Sequence, residues 1–88
     1  MFKYMIEFEN IYGNKRMIGE ANIINECWNI IFKFLEERHF KSYYQRCHIY
    51  RGVMGIDVGS HTEFFYVRRQ DGVDINWDEI HDGGIEDE

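Results

Sequence analysis

The chain has 88 residues, of which 44% are hydrophobic, 17% aromatic and 30% charged. That length holds one domain, and the composition excludes wholesale disorder. Sixteen acidic against ten basic residues leave a net charge of -6, which argues against a general phosphate-binding protein.

Phe2, Tyr4, Ile6 and Phe8 alternate with Lys3, Met5 and Glu7, the period of a half-buried strand. The stretch Tyr12-Gly13-Asn14-Lys15 carries turn residues able to take positive φ, so 16–21 reads as the return strand of a hairpin. Ile24, Cys27, Trp28, Ile31, Phe34 and Leu35 then recur at three- and four-residue steps. That stripe predicts one helix over 23–39, with Asn22 placed to cap it.

Beyond the helix, 43–51 reads as a strand with Tyr43, Cys47 and Ile49 on one side and Tyr44, Arg46, His48 and Tyr50 on the other. Gly52 and Gly55 bracket the passage to a strand at 56–58. Gly59-Ser60-His61-Thr62 turns into a strand at 63–69, completing a meander. Asp71-Gly72 then separates Phe64-Phe65-Tyr66-Val67 from the alternating 73–77, a strong hairpin signal that would set Arg69 opposite Asp74 and Tyr66 opposite Trp77. The expected class is α+β, in the order β-β-α-β-β-β(-β). A single helix covers one face of a five- or six-stranded, mostly antiparallel sheet; the domain spans 1–77 and an acidic tail 78–88. One helix cannot cover both faces, so Tyr44, Tyr50 and Phe65 are candidates for an apolar sheet-face interface with a partner or a second copy.

Charge is unevenly placed. Residues 1–70 carry eight acids and all ten basic residues, a balance of +2, whereas 71–88 carry eight acids and no Lys or Arg. Were 71–88 helical, its length of about 27 Å would give one charge per roughly 3.4 Å, the spacing along one strand of duplex DNA; extension to about 60 Å would halve that density. Asp74, Trp77, Asp78, Glu79, Asp82, Glu86, Asp87 and Glu88 are therefore the candidate partner-binding residues. Acidic tails also serve simply to keep small proteins soluble, and Trp77 also fits as a core residue.

Catalytic chemistry is sparse. Asp57, Ser60 and His61, with His48 nearby, contain the residue types for nucleophilic catalysis or small-ligand binding, but neighbours in a turn seldom reach that geometry and more often satisfy backbone groups. The four histidines and two cysteines lack close metal-ligand spacings, and no glycine motif cradles phosphate, so neither metal nor cofactor is expected. Arg46, His48, Tyr50, Arg68 and Arg69 could form a stacking platform for single-stranded nucleic acid. An acidic segment paired beside Arg68 and Arg69 would neutralise it, so direct nucleic-acid binding is not expected. Cys27 and Cys47 read as reduced core residues of an intracellular, cytoplasmic protein, and no apolar run is long enough to span a membrane.

In size, acidity and want of a catalytic constellation the chain resembles small phage- or mobile-element-encoded antagonists of host defence, including anti-CRISPR proteins, and also toxin immunity proteins; the likeness is one of composition and covers no motif. It implies a non-enzymatic inhibitor or regulator that docks on the basic surface of a nucleic-acid-processing enzyme. A small enzyme and a structural homo-oligomer are the alternatives.

Overall fold

The computed structural model describes residues 2–40, 45–60 and 62–83, the last three by their backbone only. Its elements are β1 (Tyr4–Glu9), β2 (Lys15–Ala21), α1 (Ile24–Glu37), β3 (Arg46–Tyr50), β4 (Val53–Asp57), β5 (Phe64–Arg69) and α2 (Trp77–Gly83). The strands form one antiparallel sheet in the order β2-β1-β5-β4-β3, with α1 packed on one face. The α+β class is as expected, with five strands.

Alternation in β1 buries Tyr4, Ile6 and Phe8 beneath α1. Pairing with β5 sets Ile6 opposite Val67 and Phe8 opposite Phe65, so both β5 residues also face the helix. Phe8 lies 4.8 Å from Phe34 and 5.3 Å from Phe65 between ring centroids, joining helix and sheet in one aromatic cluster. Phe65 is 0% exposed and is thus a core residue, not part of a sheet-face interface. In a run of four large apolar residues either phase is self-consistent, and the register with β1 selects between them.

The helix buries Ile24, Cys27, Trp28, Ile31 and Leu35, the stripe read from the sequence. Its N-cap is Ile23 and has no side-chain cap; Asn22 instead accepts the Lys3 amide on Oδ1 and donates its own amide to Glu26. At the other end His39 takes φ 58, with His39 N bonding Glu36 O at 3.0 Å and Phe40 N bonding Leu35 O at 3.0 Å. This is the double-bonded helix stop in which glycine is usual. A β-carbon in the left-handed region costs about 1 kcal/mol, so His39→Gly should stabilise the fold by up to about 1 kcal/mol, read as a rise in Tm of a few degrees.

Between β3 and β4, Arg51 (φ 53) and Gly52 (φ 80) form a two-residue turn of the kind that needs two positive φ angles. A Cβ on Gly52 would collide with the Asp74 carboxylate, so glycine is required there on two counts.

The largest departure lies after β5. The Asp71-Gly72 turn forms, with Gly72 at φ 81 and Asp71 Oδ1 accepting the Val73 amide at 3.0 Å, but no sixth strand returns from it. β5 is already paired with β1 on one side and β4 on the other, which leaves 73–77 no ladder edge. Arg69 therefore faces Tyr4 rather than Asp74, and Tyr66 faces Glu7 and Gly55 rather than Trp77. Instead, Ile75 is buried and donates its amide to Gly52 O at 3.0 Å, and the chain enters α2.

A reciprocal cap starts α2: Asn76 Oδ1 accepts the Glu79 amide at 2.9 Å, and Glu79 Oε1 accepts the Asn76 amide at 3.3 Å. Glu79 Oε2 accepts the buried Tyr4 hydroxyl and lies 3.7 Å from Arg69 and 3.9 Å from Lys3. Ile80 is 6% exposed and belongs to the core. The segment read as a tail from residue 78 thus begins as a helix anchored to the domain.

Candidate functional site

Two surfaces carry chemistry. The first is the C-terminal acidic segment, whose described acids divide by environment. Asp71 is held by Arg69 at 2.6 Å, and that guanidinium keeps its carboxyl below the usual carboxylate range. Glu79 points into the fold and meets Lys3, Arg69 and Tyr4. It is therefore spent on structure and is not offered to a partner as the sequence suggests. Asp74 and Asp78 are exposed, and among the described residues neither has a Lys or Arg within ion-pair distance. Trp77 stands between them, 45% exposed, so its ring is neither a core residue nor wholly free of the protein surface. Asp82 lies on α2 with its side chain undescribed, and Glu86, Asp87 and Glu88 fall outside the described residues.

The second surface is the sheet face that α1 does not cover. Cross-strand pairing gathers Glu7, Tyr66, Gly55 and His48 in one row across it. Gly55 lies mid-strand because the His48 imidazole folds over it; a Cβ there would fall 2.6 Å from the ring. Around this row Lys15, His48, Tyr50, Arg51, Tyr66 and Arg68 line an open concavity of about 540 Å³. Tyr66 donates its hydroxyl to Glu9 at 2.6 Å, and Arg68 pairs with Glu7 at 2.9 Å. The Lys15 ammonium sits 4.4 Å from the Tyr66 ring centre, and the Arg51 guanidinium 5.2 Å from that of Tyr50. Tyr50 is 65% exposed, in keeping with its expected place on the sheet face, whereas Tyr44 is outside the described residues. The residues that sequence reasoning missed here are Lys15, Arg51 and Tyr66; the glycine inside an otherwise apolar strand was the available signal.

Burial, reinforced by the bond to Glu9, pushes the Tyr66 hydroxyl from 10.0 up to about 12, and burial pushes the Cys27 thiol from 9.0 to about 12. Both groups are harder to deprotonate in the fold than in the unfolded chain. Their stabilising contribution is complete below the ordinary values and is lost as pH rises through the folded ones. Stability should hold to about pH 9 and then fall towards about pH 12, the Cys27 contribution going first. Urea midpoints measured across that window check this, and Cys27→Ala should flatten its lower half.

Among the described residues the candidate catalytic set comes together only in part: His48 and Asp57 line one open depression with Arg46, Cys47 and Phe64. Asp57 accepts the Gly59 amide at 2.9 Å and lies 3.7 Å from Arg46, while Ser60 Oγ accepts the Thr62 and Glu63 amides at 3.3 and 3.1 Å. These groups hold the turn together. His48 lies over Gly55, and His61 is outside the described residues. Among the described residues no three His, Cys, Asp or Glu converge on a metal position, both cysteines are free, and no helix is long and apolar enough to cross a membrane. No family model, curated protein or solved structure matches the chain.

Proposed function

We propose that the protein is a non-enzymatic interaction module that docks through its C-terminal segment on a basic surface of a protein partner, such as the nucleic-acid-binding surface of an enzyme. The observation that carries this is the fixed presentation of Asp74, Trp77 and Asp78. Buried Ile75 and Ile80 flank the exposed Trp77, and the Asn76–Glu79 cap locks the backbone between them. An aromatic anchor between exposed carboxylates loses little freedom on binding when its backbone is already ordered. A merely solubilising tail has no need of such anchoring.

Truncating the chain before 72 is the wrong experiment, because it removes Ile75, Ile80 and Glu79 from the fold. Point substitutions at exposed positions avoid that. Immobilised protein is used for capture from host lysate at low and high salt, with Trp77→Ala and the Asp74→Asn/Asp78→Asn pair alongside. A basic nucleic-acid-binding protein retained by the parent chain should be lost on either substitution and on raising the salt. Retention of the same protein by both variants would refute the docking assignment.

A further inference from the structure

Among the described residues, no acid of the C-terminal segment forms an ion pair with Lys15, Arg51 or Arg68 on the open sheet face. Arg69, which the segment does engage, projects to the helix side, where it holds Asp71 and Glu79. Arg68 projects to the opposite side and pairs with Glu7. α2 packs near α1, so the sheet stands between Glu79 and the concavity. Asp74 lies against the Gly52 turn.

Two features give the concavity a ligand chemistry. Lys15 and Arg51 have no carboxylate within ion-pair distance among the described residues, and each rests instead on a tyrosine ring. An exposed cation on a ring is worth less than a stacked nucleobase, so exchange is favourable: the ring takes the base and the displaced cation takes the phosphate. Base faces are available for such stacking only when the bases are unpaired, and a sheet face offers no helix or ribbon to enter a duplex groove. The concavity is open and shares His48 with a neighbouring depression at Arg46 and Asp57, which suits a strand passing across it better than an enclosed small molecule.

From these features we infer that the open sheet face binds single-stranded nucleic acid, with bases stacking on Tyr50 and Tyr66 and phosphates held by Lys15, Arg51 and Arg68. This site is independent of docking through Trp77, and it reverses the expectation, drawn from the sequence, that the chain does not contact nucleic acid.

Fluorescence anisotropy with a labelled oligothymidylate of about 12 nucleotides tests it. At low salt the intact chain should bind the oligonucleotide and prefer it to a duplex of equal length. Tyr50→Ala, at an exposed position, should weaken binding about tenfold or more. Lys15→Ala and Arg51→Ala should each reduce the slope of log K against log salt by about 0.7. Trp77→Ala should leave binding unchanged. Absence of binding, equal affinity for duplex, competition by thymidine monophosphate as effective as by the oligonucleotide, or indifference to Tyr50→Ala would each overturn the assignment. Loss of binding in Trp77→Ala would overturn it as well, by moving the contact to α2.

Discussion

Replacing Phe65 by alanine should destabilise the protein by about 3–5 kcal/mol, as expected when a fully enclosed aromatic ring is deleted and its cavity cannot collapse. The ring is 0% exposed and touches both Phe8 and Phe34, so its loss separates β5 from β1 and from α1 at one point. A domain of this size holds roughly 4–13 kcal/mol in all, so the loss removes a large share of the total and should lower Tm by more than about 10 °C. Tyr50→Ala on the open face should change stability by no more than about 0.5 kcal/mol. Urea unfolding of the two variants checks that the Phe65 side chain faces the helix while that of Tyr50, on β3, does not. Similar small effects for both would place Phe65 on the surface.

Glu79→Ala should be the most costly substitution among the described C-terminal acids, Asp71, Asp74, Asp78 and Glu79, at about 2–4 kcal/mol. Half of the reciprocal cap is lost, worth about 1 kcal/mol, and the buried Tyr4 hydroxyl loses its acceptor, worth about 1–3 kcal/mol. Lys3 and Arg69 add little because they are partly exposed and lie at 3.9 and 3.7 Å. Asp78→Ala, one residue earlier and exposed, should change stability by no more than about 0.5 kcal/mol. Unfolding curves of these two variants separate the acid used to build the fold from the acid that stays on the surface.

The two surfaces differ in what a second body would meet on them. α2 offers a ring and carboxylates, which suits a basic protein surface. The open sheet face offers rings and cations, which suits an anionic strand. A protein able to hold both would bring a nucleic-acid enzyme and a single strand together or keep them apart.

Local periodicity made β1, α1 and β5 legible, because each places one kind of side chain on one face at a fixed step. Cys47 and Ile49 inward with Arg46, His48 and Tyr50 outward followed from the same alternation in β3. The misread positions depend on pairing that no short window contains. Phe65 and Tyr66 are equivalent until β1 supplies the register, and 73–77 alternates like a strand although β5 has no edge left to receive it. Local signal for α2 was nevertheless present: Asn76 and Glu79 stand three apart, the spacing of a reciprocal helix cap. The acidic composition of 71–88 obscured it, because charge counted along a chain does not reveal which carboxylate turns inward. The cations of the open face were hidden for a related reason, since Lys15 comes from β2, Arg51 from the β3–β4 turn, and Tyr66 and Arg68 from β5, and they meet only in the sheet.

Whether the acidic segment is part of the folded body is measured most directly by amide hydrogen exchange at Ile75, Glu79 and Ile80. Their amides bond Gly52 O at 3.0 Å, Asn76 Oδ1 at 2.9 Å and Asn76 O at 3.4 Å. The structure predicts slowed exchange at all three, strongest at Ile75, with protection at Glu79 and Ile80 collapsing in Glu79→Ala while that of β1 and β5 persists. Exchange of the three amides at unfolded-chain rates in the parent protein would contradict it, and Trp77 would then have no fixed place from which to bind.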